Sequence, residues 1–171
     1  MPSIRIERPQ DGPHIEALLD RAFGADRQAR PSYRLREGLP PVHSLCFVAE
    51  VEDCILGTIR HWPVRIGATQ TALLLGPIAV DPAQERRGIG GLLVRTALEK
   101  AAAEGHEIVV AVGEQSYLGR FGFMSAARYG ISLPGLKDSN RLLALALAPG
   151  ALDGVEGAVA RLSPEAASCR P

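Results

Sequence analysis

The sequence predicts a single α/β domain, α+β in the order of its elements, and three observations carry that prediction. Two strand-like runs, His43 to Val51 and Cys54 to Val64, flank the turn pair Glu52 and Asp53. An apolar run from Gln70 to Val80, a helical stretch to about Glu104 and a second apolar run from Ile108 to Val112 follow in βαβ order. Pro13 to Phe23 carries apolar residues at helical spacing. One core suffices for 171 residues, because single hydrophobic cores serve chains of about 100 to 200 residues. An apolar fraction of 46% against 22% charged residues can fill that core and argues against a disordered chain. The domain is expected over 1–150, with 151–171 as a C-terminal helical and frayed tail.

Each element has a local reason. Ser3 to Glu7 alternates with Ile4 and Ile6 on one face, the period of a strand, until Pro9, Asp11 and Gly12 break it. Ile15, Leu18, Leu19, Ala22 and Phe23 then recur at the helical period, and Gly24 stands where a helix end favours glycine. Ala25 to Pro41 is polar, rich in arginine and bounded by proline; it predicts a mobile segment near the functional site, with one short helix around Tyr33 to Glu37. Branched and aromatic residues make 43–64 a hairpin, and Arg65 to Thr69 prolongs or turns its second arm. Gln70 to Val80 predicts a buried strand broken at Gly76 and Pro77, since proline inside a sheet sits where ladder pairing is already lost. After a turn at Asp81 and Pro82, the next helix carries Ile89, Leu92, Leu93, Thr96, Ala97 and Ala101 inward and ends at Gly105. Gly113 to Gly122 is a connection with room for a short helix. Ile131 to Leu133 and Arg141 to Leu147 read as closing strands, and a small helix is expected around Val155 to Leu162.

Charge and composition exclude several classes of function. Nineteen basic and nineteen acidic side chains cancel, which removes the positive field that phosphate-neutralising nucleic-acid binders need. Met1 to Arg8 alternates apolar and charged residues, unlike a signal peptide, and no stretch approaches the roughly 20 apolar residues of a bilayer span. A cytoplasmic location is the resulting expectation. Three cysteines, Cys46, Cys54 and Cys169, lack C-x-x-C spacing, so neither a disulfide framework nor a metal site is indicated.

The chemistry concentrates in Leu73 to Gly91, LLLGPIAVDPAQERRGIGG, where a buried strand runs through a short loop into a glycine-rich helix start. Glycines at 88, 90 and 91 remove the Cβ atoms that keep a ligand off the backbone. The first-turn N–H groups have no intrahelical partner, and the helix dipole, joined by Arg86 and Arg87, favours an anion there. A pyrophosphate is the natural ligand. Close packing of the helix on the sheet is the competing explanation, although each interior glycine costs about 1 kcal/mol relative to alanine. A P-loop is excluded, because no Lys-Ser or Lys-Thr follows these glycines. A dinucleotide fingerprint fits poorly, since Leu93 replaces its last glycine, but Glu114 stands near the position of the ribose-binding acid and keeps that alternative open.

These residues resemble the GNAT superfamily of N-acyltransferases. Its phosphate-binding signature, [QR]-x-x-G-x-[GA] after a broken fourth strand, matches Glu85-Arg86-Arg87-Gly88-Ile89-Gly90 at every position but the first. Gly119 to Phe123, GRFGF, resembles its second landmark, a short helix ending in a Gly-Phe turn, and together with LGPIAV is most similar to the bacterial YhbS-type subgroup. The resemblance spans about residues 3 to 147. It implies a mixed, mostly antiparallel twisted sheet splayed between strands 4 and 5, with helices on both faces. It further implies acetyl-CoA as co-substrate, with Ile78, Ala79 and Val80 offering backbone groups to the pantetheine arm and Arg86, Arg87, Gly88, Ile89, Gly90 and Gly91 holding the pyrophosphate.

The implied reaction is direct attack of an amine, on a small molecule or a protein, upon the thioester. A main-chain N–H near Ile78 would hold the oxyanion. Such enzymes often return the proton to the thiolate from a tyrosine before the Gly-Phe turn; here Leu118 takes that place and Tyr117 precedes it, so Tyr117 is the candidate acid, with core packing as the competing reading because one step along a helix turns a side chain by about 100°. Glu114 and His61 are candidate bases, with water as a third. Alternatives within the resemblance are a longer acyl chain and a non-catalytic CoA-binding sensor, the latter suggested by Leu118 and Glu85. A homodimer through exposed strand edges is a further expectation.

Overall fold

Residues 1–163 are described by a computed structural model, and their fold begins from the hairpin. Ser3–Ile6 forms β1, Gly12–Phe23 α1 and Pro31–Arg34 α2, followed by the hairpin strands Phe47–Val51 (β2) and Cys54–Ile66 (β3). Glu52 and Asp53 both take left-handed φ values, 47° and 64°, the requirement of a two-residue hairpin loop whose twist matches its strands. Gln70–Val80 (β4) pairs antiparallel with β3, Ile89–Ala103 (α3) crosses over, and Ile108–Val112 (β5) returns parallel to β4. The short helix Gln115–Leu118 (α4) precedes Met124–Ser125 (β6), Ile131–Ser132 (β7), Leu142–Ala146 (β8) and Gly157–Arg161 (β9). The sheet runs β1-β2-β3-β4-β5-β8-β6, with β9 pairing both β3 and β7. Among the described residues only the β4–β5 and β7–β9 pairs are parallel, so the sheet is mixed and mostly antiparallel, as expected.

The two-residue period of the strands decides which helix each face receives. Phe47 and Ala49 pack with Leu93, Val94 and Ala97 of α3, while Val48 between them packs with Ile15, Leu18 and Leu19 of α1. Leu73 and Leu75 join the α3 side; Ala72 and Leu74 join a separate cluster with Val110, Ile131 and Val159. Gly57 lets α3 settle close to the sheet, since a Cβ there would meet Leu93 Cδ1 at 3.0 Å and Ile89 Cγ2 at 3.1 Å.

The sheet opens where β4 leaves β5. They pair only at Leu73 with Val109, Leu74 with Val110 and Leu75 with Ala111; past that point β4 continues along β3 while β5 stays with β8 through Val112. A register shift in the β3–β4 ladder lies opposite Gly76 and Pro77, which are joined by a cis peptide. The break expected there is a bulge, and it frees the β5-facing side of residues 76–80.

Two expectations are corrected. The helix expected around Val155 to Leu162 is the strand β9, paired with Val64, Arg65 and Ile66 of β3. Val155, Val159 and Leu162 have helical spacing, but an open β3 edge and the backbone of Gly157 at φ 114° favour pairing. The frayed end expected after it lies at 164–171, outside the described residues. The Ala25 to Pro41 segment, expected to be mobile, is tied down: Leu35, Arg36 and Leu39 are buried, and Arg27 is held by Glu16 and Asp20 of α1. Its helix is Pro31–Arg34, earlier than the Tyr33 to Glu37 expected.

Candidate active site

Two adjoining cavities occupy the split between β4 and β5, and one side chain lines both. The first is lined by Val80, Arg86, Gly88 to Gly91, Arg95 and Arg120, the second by Arg30, Tyr33, Arg36, Gly76 to Ile78, Glu114 and Arg141; Tyr117 belongs to each.

The first cavity is built on the start of α3. Gly88 is the residue before the helix, in the left-handed region at φ 79°, and no side chain caps the first turn. The first intrahelical bond runs from Leu92 N–H to Gly88 O, so the N–H groups before it point free of the helix. Arg86, at φ 66°, also holds a left-handed backbone that non-glycine residues rarely adopt, the kind of strain that accompanies ligand loops. Arg95 and Arg120 add positive charge from α3 and from the turn after α4, and the Arg120 guanidinium lies 4.7 Å from the Tyr117 ring centre. Arg87 is exposed and lines neither cavity. Glu85 does line the first, as an exposed side chain at its rim.

Main-chain groups of β4 face the split by alternation. Asp81 N–H donates to Leu56 O at 2.8 Å, so Asp81 and Ala79 direct their polar groups at β3, and Val80 and Ile78 direct theirs away from it. Ala79 accordingly packs its side chain on α1.

Tyr117 lines both cavities, whereas Leu118 lines only the second and packs in the core. Leu118 is buried in the α3 core, while Tyr117 is half-buried between the cavities, its ring edge-on to Phe121 at 5.7 Å. A Cβ on Gly90 would stand 2.6 Å from the Tyr117 hydroxyl, so that glycine makes room for the phenol at the head of α3. Burial raises the Tyr117 pKa above its ordinary value and keeps the phenol protonated at neutral pH.

The candidate bases separate. Glu114, at the end of β5, lines the second cavity and pairs with Arg141 at 3.5 Å. His61 lines neither cavity: it is fully buried on the α3 side of β3, with Nδ1–H donating to Leu45 O at 2.9 Å. Burial pushes its pKa down to about 4, so it is a neutral core residue with no route to a substrate. Sequence reasoning missed Arg36, Arg95, Arg120 and Trp62. Trp62 Nε1–H donates to Gly76 O at 2.8 Å and so fixes the bulge. Among the described residues no group of three or more His, Cys, Asp or Glu could hold a metal ion, and no helix is long and apolar enough to cross a membrane.

Comparison with known proteins agrees with this geometry. Residues 13–123 match the family model for GNAT acetyltransferases. The uncharacterized N-acetyltransferase YhbS of Escherichia coli K12 is 33% identical over 160 residues, 91% of this chain and 93% of that protein. The crystal structure of E. coli YhbS in complex with CoA superposes with a TM-score of 0.83 at 31% identity, covering 94% of this chain and 89% of that one. A GNAT family acetyltransferase from Brucella melitensis in complex with acetyl-CoA gives a TM-score of 0.70 at 30% identity, over 95% and 97% of the two chains. With its split sheet, its glycine-led α3 and these relatives, the chain belongs to the GNAT acetyltransferase family.

Proposed function

We propose that this protein transfers an acetyl group from acetyl-CoA to an amine by direct attack on the thioester. The single observation that supports it is the pair of cavities meeting at Tyr117: an anion-binding helix start on one side and a pocket for a second molecule on the other. Two relatives of 30% and 31% identity were crystallised with acetyl-CoA or CoA.

The residues divide the work. The N–H groups of Gly88, Ile89, Gly90 and Gly91 hold the pyrophosphate, with Arg86, Arg95 and Arg120 supplying charge and Arg87 adding to the field from outside. Val80 offers polar main-chain groups to the pantetheine arm, and Ala79 supports the strand from behind. The Ile78 N–H, freed from the ladder, stabilises the developing oxyanion. Glu114, through water, accepts the proton that the amine must lose, and Tyr117 delivers one to the departing thiolate sulfur. Proton in and proton out then balance.

Calorimetry with CoA, and mass analysis of an amine panel incubated with acetyl-CoA, test this. Binding accompanied by a gain of one acetyl group is expected. Binding without transfer to any amine would leave a sensor, and no binding would remove the proposal.

A further inference from the structure

We propose that Arg36 anchors a carboxylate of the acceptor, so that the substrates are small amines that also carry an acidic group. The proposal rests on the acetyl-transfer reading of the same cleft and names its second substrate class.

Among the described residues the other largely buried arginines are neutralised. Arg5 binds Asp11 and Glu50, Arg27 binds Glu16 and Asp20, and Arg60 binds Glu7 and Glu16. Arg36 is the exception. It is 9% exposed, and its Nε and Nη1 are buried with no hydrogen-bond partner among the described residues. Nor is the side chain free to swing into solvent. Its guanidinium lies 4.2 Å from the Tyr33 ring centre and 5.7 Å from that of Trp62, and Trp62 is itself pinned to Gly76.

An uncompensated buried cation is strongly destabilising. Burial brings its pKa down to about 10, still cationic at neutral pH; Tyr33 offsets part of that cost through its hydroxyl and ring, Arg60 and Arg27 oppose the cation, and no carboxylate among the described residues pairs with it. A carboxylate entering the cavity relieves that cost, and a guanidinium fork matches it in shape as well as charge.

The cavity is suited to such a ligand. It measures about 270 Å³, and its charged lining is Arg30, Arg36 and Arg141 against Glu114, which is already engaged by Arg141. Arg36 approaches Gly76, two residues along β4 from Ile78, where the acyl group stands in the proposed reaction. An amine beside Ile78 and Tyr117 with a carboxylate at Arg36 therefore calls for a short spacer. Arg30, by contrast, is exposed and stacks on Phe23 at the rim.

Product-side probes test this without turnover. N-acetyl derivatives of the common amino acids, each beside its carboxamide, are titrated by ligand-observed NMR into the protein with and without CoA, while calorimetry follows CoA itself. At least one acid is expected to bind about tenfold or more tightly than its amide, the worth of one charge-assisted contact. Arg36→Met, whose stem still packs on Tyr33 and Trp62, is expected to bring that ratio near one without changing CoA affinity. Should that variant fold poorly, Arg36→Lys is expected to keep a reduced preference. A wild-type protein that binds none of the acids, or binds acids and amides alike, overturns the proposal, as does an acid preference that survives Arg36→Met. Loss of CoA binding alone would count against the acetyl-transfer reading, with the acid-to-amide ratio still deciding the role of Arg36.

Discussion

At the residue scale, Tyr117 and His61 show how surroundings decide what a titratable side chain does. Tyr117 lines both cavities and is kept protonated by burial, so Tyr117→Phe is expected to lower kcat by about a hundredfold or more, the lower end for a general acid, with little change in CoA affinity; steady-state kinetics beside calorimetry checks this. The sequence left its role open, because a one-residue shift on a helix turns a side chain by about 100° and no local pattern says whether position 117 or 118 faces the core. Burial of Leu118 shows which of the two packs in the core. His61 has the opposite fate. Its folded pKa of about 4 lies below the unfolded 6.5, so between these values the unfolded chain binds the proton and the folded chain does not. Stability is therefore expected to be full above pH 6.5 and to fall by about 3 kcal/mol as the pH drops to 4. Urea denaturation across that range measures it, and His61→Gln is expected to flatten the slope.

Among the elements, α3 was the most legible and holds most of the proposed cofactor site. Three glycines in four residues contradict helix propensity, so their place at a helix start signals a close approach, and the structure shows a cavity lined by all three and the Tyr117 hydroxyl against Gly90. The other side of that packing was not legible. Gly57, distant in sequence, is what lets α3 lie close on the sheet, and Gly57→Ala would drive a methyl against Leu93 and Ile89 at 3.0 and 3.1 Å and against Ala79 O at 3.3 Å. A loss of about 1–3 kcal/mol is expected by thermal or chemical denaturation, the usual cost of overpacking. The segment before β2 was half legible. Its arginines were plain in the sequence, yet their spacing does not reveal that Arg27 finds Glu16 and Asp20 on α1 while the Nε and Nη1 of Arg36 have no hydrogen-bond partner among the described residues.

For the whole molecule, the βαβ unit and the hairpin could be read from periodicity because their pairings are local, whereas β9 could not. Val155, Val159 and Leu162 satisfy a helical period, and only the distant β3 edge converts them to a strand. Leu152, Val159 and Leu162 are each buried, so a chain ending at Gly150 is expected to lose about 5 kcal/mol or more of apolar burial, a large share of an ordinary domain's stability. Solubility and a shifted unfolding midpoint report it. The split between β4 and β5 is the feature on which the proposed CoA binding depends, since it leaves the main-chain groups of Ile78 and Val80 directed away from β3 beside the head of α3. Amide NMR during a CoA titration reads that directly. The largest shifts are expected at the N–H groups of Gly88, Ile89, Gly90 and Gly91, with Ile78 and Val80 next. Saturable CoA binding that leaves those amides unmoved, or no binding to the folded protein, would contradict the pyrophosphate site.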